Sequence, residues 1–177
     1  GGKLSLLQGH FHLAHRHSPW HRVYSSRHDE SGAEVLLKQS QGRSPSVFLV
    51  KDHNGSVFGA YVPGPLEDNS THYGTADTLL FTLHPTFCVY AASGANGLYV
   101  LTSGAGVSFG GVIHGDTHGS GLALSHDLMT GHSEACETYT NAGSIASAPK
   151  FSCLAVEVWV LTRPPESDAW SKLGHFT

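Results

Sequence analysis

Two stretches of the chain bring chemically capable side chains close together. His114-Gly115-Asp116-Thr117-His118 sets two imidazoles and a carboxylate at alternate positions of a glycine-containing loop. Zinc and iron accept such ligands, and alternate positions of an extended segment share a face. His126 or His132 would be the further ligand, giving a metal-binding or metal-dependent enzyme site. The competing reading is a solvated loop. The chain holds 14 histidines, and His10, His12, His15, His17, His21 and His28 crowd its amino-terminal part as well, so chance neighbours are common.

The second stretch is Cys136-Glu137, where a thiol beside a carboxylate, with His132 or His126 nearby, has the residue types of a nucleophile and its base. Neighbours on a strand point to opposite faces, and an adjacent carboxylate raises a thiol pKa instead of lowering it. A small buried thiol is therefore the preferred reading, with direct peroxide scavenging by Cys136 as the chemical rival. Ser103, Ser108, Ser120 and Ser125 sit in no Gly-x-Ser-x-Gly elbow. The glycines from Gly104 to Gly121 fit no dinucleotide or phosphate-loop fingerprint and read as tight turns and close strand contacts.

The elements that must position these residues follow from composition and pattern. The 177 residues fit one domain, and 40% hydrophobic against 14% charged residues describe a folded globule. A net charge of -4 without a Lys/Arg cluster argues against a nucleic-acid partner. Cys88, Cys136 and Cys153 match no zinc or dithiol spacing and read as reduced thiols. The apolar runs at Leu4 to Leu7 and Leu154 to Leu161 are too short to span a bilayer, so no membrane insertion is expected. Gly1-Gly2 reads as an added pair or as the cut end of a longer protein.

Leu4, Leu7, Phe11 and Ala14 predict a helix that stops before Ser18-Pro19. Ser31 and Glu34 form a capping box for a second helix reaching about Gln39. Strands are expected at Trp20 to Ser26, at 46–50 and 56–62 around an Asn54-Gly55 hairpin turn, and at 78–83, 87–91, 98–102, 107–110, 122–124 and 151–161. This rhythm predicts an antiparallel sandwich. After the breaker run at Arg163-Pro164-Pro165, the tail to Thr177 reads as a linker or as a short helix around Ala169 to Leu173.

With these elements placed, the chain resembles the TLDc family. The landmarks in order are Pro19 to Ser26, Val57-Phe58-Gly59-Ala60-Tyr61, Tyr73 to Phe81 with Gly74 and Asp77, Phe109-Gly110-Gly111, Asp127-Leu128 with Gly131, Ser133 to Asn141 with Cys136 and Glu137, and Val156-Glu157-Val158-Trp159. The resemblance implies an α+β domain over 1–162, two antiparallel sheets packed as a β-sandwich with flanking helices, followed by a carboxyl-terminal tail at 163–177.

Proteins of this family are associated with resistance to oxidative stress, and several are partners of the vacuolar-type proton ATPase. The implied role is a non-enzymatic interaction domain, cytoplasmic and held at an organelle surface through its partner. The family brings no cofactor and no agreed catalytic set. Gly74, Asp77, Gly110, Gly111, Asp127, Cys136, Glu137, Asn141, Glu157 and Trp159 are accordingly signature positions. The chain departs from the family pattern at Asp77, where glutamate is usual, at Val160, where glycine is usual, and through the segment 112–120.

Overall fold

The computed structural model describes residues 2–112 and 119–161. His114, Asp116 and His118, and the tail 163–177 with its expected helix, lie outside the described residues. Along the chain the elements are α1 (Lys3–Gln8), a 3-10 turn (Leu13–His15), β1 (His21–Ser25), α2 (Ala33–Ser40), β2 (Ser46–Asp52), β3 (Val57–Val62), β4 (Leu79–His84), β5 (Cys88–Ala91), β6 (Val100–Ser103), β7 (Gly106–Phe109), β8 (Leu122–Ser125), β9 (Thr130–His132) and β10 (Lys150–Val160). The molecule is α+β and predominantly sheet, with every strand pair antiparallel.

Where two sheets were expected, the strands join into one hydrogen-bonded path, β5-β4-β3-β2-β10-β9-β8-β7-β6, with β1 also on β10. The join is β10 itself. Its first residues, Lys150 to Ser152, pair with β9, while Cys153 to Val160 pair with β2. A register shift between Cys153 and Ala155 separates the two parts. Burial changes parity there: Phe151 and Cys153 are buried before it, Val156, Val158 and Val160 after it. A bulge adds one residue and bends the strand, which redirects β10 from one arm of the sheet into the other.

Side chains of both arms fill one core. Phe48 of β2 meets Phe109 of β7 edge to face at 5.1 Å, and Phe58 of β3 meets Phe151 of β10 at the same centroid distance. Each such pair contributes about 1 kcal/mol beyond its buried area. Leu36 and Ala33 of α2 join this core. A second cluster forms on the opposite face of β2, β3 and β4, where Leu7, Phe11, Val47, Tyr61 and Phe81 pack together and Phe11 stacks on Tyr61 at 4.0 Å. Strand β2 is thus buried on both faces, the reason its sequence runs apolar without strict alternation.

Both helices differ from expectation for local reasons. The first stops at Gln8 with Gly9 as its C-cap, and a separate 3-10 turn follows, so Leu7 and Phe11 are buried while Leu4 and Ala14 are exposed. The second has no capping box: Ser31 Oγ donates to the Asp127 carbonyl at 2.8 Å, and Gly32 is the N-cap with no side-chain bond. A tertiary partner outcompetes the local cap. The hairpin at Asn54-Gly55 forms as expected, with Gly55 at φ +88°. Three-residue β9 was not foreseen.

Candidate functional site

The densest signature cluster is the long connection from β9 to β10, folded back over the glycines after β7. Ser133 anchors its start: its hydroxyl donates to Gly121 O at 2.6 Å and accepts from Ile145 N at 2.8 Å. Asn141, buried, donates through Nδ2 to the carbonyls of Glu134 (2.7 Å) and Gly143 (3.0 Å), while its Oδ1 accepts from the Cys136 thiol at 3.3 Å. Gly111 N donates to Thr138 Oγ1 at 3.0 Å, and Glu137 N donates to Gly111 O at 3.2 Å. Tyr139, fully enclosed, donates from its hydroxyl to Tyr99 O at 2.9 Å. These bonds lock the connection onto the residues that lead into β6 and β8 and out of β7.

The glycines make the lock possible. Gly110 sits at φ +84°, and a Cβ there would lie 2.8 Å from the Cys136 sulfur and 3.1 Å from the Tyr139 ring. At Gly121 a Cβ would lie 2.6 Å from Leu80 and 3.2 Å from the same sulfur. Cys136 therefore packs where two glycines make room. Burial, with the neighbouring Glu137 charge, holds its thiol above the ordinary value despite opposing backbone N–H groups. Burial beside Asp52 and Asp127 pushes the Cys153 thiol up to about 12. A thiolate is the reactive form, so both cysteines are poor nucleophiles. Mild peroxide or iodoacetamide at neutral pH is expected to leave Cys136 and Cys153 unmodified in the native protein and to modify both after unfolding, as peptide mass spectrometry would record. Prompt sulfenic acid at native Cys136 would revive the scavenging reading.

The other signature residues lie apart from this cluster. Asp127 holds the turn between β8 and β9: its Oδ1 accepts from Ser125 Oγ at 2.6 Å and Met129 N at 2.9 Å, next to Leu128 at φ +59°. Those donors, Ser125 first, hold its carboxyl below the ordinary value. Gly74, at φ +104°, and exposed Asp77 lie in the approach to β4. Glu157 and Trp159 lie on β10 beside β1, where Glu157 accepts from Trp159 Nε1 at 2.8 Å and pairs with Arg22 at 3.4 Å. Arg22 also lies 6.0 Å from the centre of the Trp159 ring.

Of the candidate further metal ligands, His126 is exposed in the β8–β9 turn and His132 is half-buried in β9. Among the described residues no group of three or more His, Cys, Asp or Glu side chains is arranged to hold a metal ion.

Asp52 escaped the sequence reading. It closes the β2–β3 hairpin from a fully buried position, Oδ1 accepting from Asn54 N and Ser56 N and Oδ2 from Ser147 N, all at 3.0 Å. Burial works to raise its pKa, but the donors at Ser147, Ser56 and Asn54 outweigh it and hold the carboxyl below its ordinary value. Asp52 lines an open groove of about 870 Å³ together with His53, His132, Glu134, Lys150 and Phe151. An aspartate two residues before Asn-Gly was the available signal, since it can cap the turn through its own side chain.

Fold and site together define an α+β domain on a continuous antiparallel sheet whose signature segment is devoted to closing its own core. The chain belongs to the TLDc domain family, whose model matches residues 3–162. Similar proteins include nuclear receptor coactivator 7 of Gallus gallus, 31% identical over 80% of this chain and 15% of that protein. Oxidation resistance protein 1 of Homo sapiens is 30% identical over 80% of this chain and 16% of its own length. MTOR-associated protein MEAK7 of Danio rerio is 33% identical over 84% and 34% respectively. The chain thus aligns with no more than about a third of these relatives' own lengths.

Proposed function

We propose that this chain is a non-enzymatic TLDc interaction domain, linked to oxidative-stress resistance, that binds and modulates the vacuolar-type proton ATPase from the cytoplasmic side of an organelle. In this reading the domain is residues 1–162, its two arms enclose the core as a sandwich around β10, and 163–177 is a tail. The observation that carries the proposal is how the signature residues are used. Ser133, Cys136, Thr138, Tyr139 and Asn141 bind and pack against their own chain, and the Cys136 thiol is partly buried with a raised pKa, which suits a rigid presenting scaffold better than a nucleophile. Family membership supports the link to stress resistance, since one relative is named for oxidation resistance. Another is named for association with a protein partner.

Affinity capture from cell extract tests the proposal. Immobilised protein is expected to recover peripheral-sector subunits of the ATPase. Repeated failure to do so, under conditions in which another TLDc domain succeeds, would overturn the ATPase assignment.

A further inference from the structure

Residues 1–28 contain Lys3, Arg16, Arg22 and Arg27 and not one aspartate or glutamate. That segment therefore carries +4, and because the whole chain carries -4, the remainder carries -8. Six of the 14 histidines fall in the same segment and add no negative charge. The segment is fixed to the domain: Leu7 and Phe11 enter the second core, Lys3 Nζ donates to Leu83 O at 2.6 Å, and Arg16 Nε donates to Phe11 O at 3.0 Å.

Apolar side chains of this segment remain outside. Leu4, Leu6 and Leu13 are 45%, 59% and 73% exposed, three of the five exposed large hydrophobics among the described residues. Leu13 also lines a shallow groove of about 380 Å³ with Ala14, His17, Ser18 and Pro19. The segment brings no carboxylate of its own and meets one from outside where Arg22 pairs with Glu157, so the exposed Leu13 and its groove lie beside the cationic Arg16.

We infer that this groove and the surface around it dock an acidic protein segment carrying an apolar residue, the leucine-lined groove taking the apolar side chain and Arg16 with its neighbours meeting the carboxylates. The inference rests on the reading of the chain as an interaction domain and names the face it uses. The -8 remainder repels the same partner elsewhere, so charge selects this face and orients the encounter. A lipid surface fits less well, because membrane-surface helices present one extended apolar side, whereas α1 has only six residues and sends Leu7 into the core.

The test uses the full chain and a variant carrying Leu13→Glu and His17→Glu, both at exposed positions, with thermal melting to confirm that the variant folds. The probe is a labelled 16-residue peptide of Asp, Glu and Leu, followed by anisotropy, beside a peptide in which Lys replaces the acidic residues and vesicles containing phosphatidylserine. The acidic peptide should bind, weaken as salt is raised, and lose at least tenfold in affinity in the variant, while the lysine peptide should not bind. Equal binding to parent and folded variant, no binding to the parent, or capture by the vesicles in preference to the peptide overturns the assignment. Capture of ATPase subunits from extract by the variant as well as by the parent would remove this face and leave the interaction reading intact; if neither captures them, that reading fails while the peptide result still decides the face.

Discussion

Replacing Asp52 with alanine is expected to destabilise the domain by about 3–5 kcal/mol, a large share of the 5–15 kcal/mol typical of a domain this size. The carboxylate, itself fully buried, holds three backbone N–H groups, and its removal leaves the buried Ser56 N–H and the partly buried Asn54 and Ser147 N–H groups without their acceptor. Two of these donors lie in the β2–β3 turn, while Ser147 belongs to the connection that leads into β10. The substitution therefore loosens the hairpin and the entry to the shared strand together. Asp52→Asn keeps one oxygen and should lose about half as much.

The pH dependence of this contribution has a definite sign. The folded carboxyl is held below its ordinary value of 3.8, so the unfolded chain takes up a proton first. The stabilisation is fully present above that ordinary value and is lost as pH falls through the lowered folded value. Urea unfolding at a series of pH values should show parent and Asp52→Asn proteins far apart at neutrality and converging in acid. A gap that stayed constant down to pH 2 would contradict the assignment.

Gly110→Ala is expected to remove about 3 kcal/mol. Part comes from forcing a β-carbon onto a backbone at φ +84°, and part from overlap with the Cys136 sulfur at 2.8 Å and the Tyr139 ring at 3.1 Å. The two parts can be separated. Adding Cys136→Ala removes the sulfur and should restore about 1 kcal/mol relative to the sum of the single changes. Strict additivity in denaturant melts would mean that backbone conformation, and not the sulfur contact, makes glycine necessary at 110.

Several elements were legible because their causes are local. Asn54-Gly55 adopts the backbone angles its types favour, and the apolar runs on either side of it became β2 and β3. What escaped had distant causes. Nothing within Thr130-Gly131-His132 marks a strand; Gly131 is there because a side chain would lie 2.5 Å from both Ala123 O and the Phe151 ring. The Ser31–Glu34 pair has the right spacing for a cap, yet Ser31 finds Asp127, 96 residues away in sequence. The continuous sheet was hidden for a similar reason: alternation along 151–161 announces a strand, but the phase change at Cys153 takes its meaning only from the two different neighbours it serves. For the candidate site, residue types pointed to the segment 133–141, whereas only packing could reveal that the Cys136 sulfur sits against Gly110 and Gly121. The histidine loop, the remaining candidate, lies outside the described residues.

The shared strand also sets the order of assembly during synthesis. Every other described strand precedes β10 in the chain, yet β1, β2 and β9 each take it as a partner. While a ribosome is still delivering the 133–149 connection, both arms exist only as hairpins and meanders with open edges at β2 and β9. Neither can close before Lys150 to Val160 emerges, and then both close on the same segment. The domain is thus committed late and all at once, and a nascent chain that stalls shortly before residue 150 would present two unpaired strand edges to the quality-control machinery of the cell.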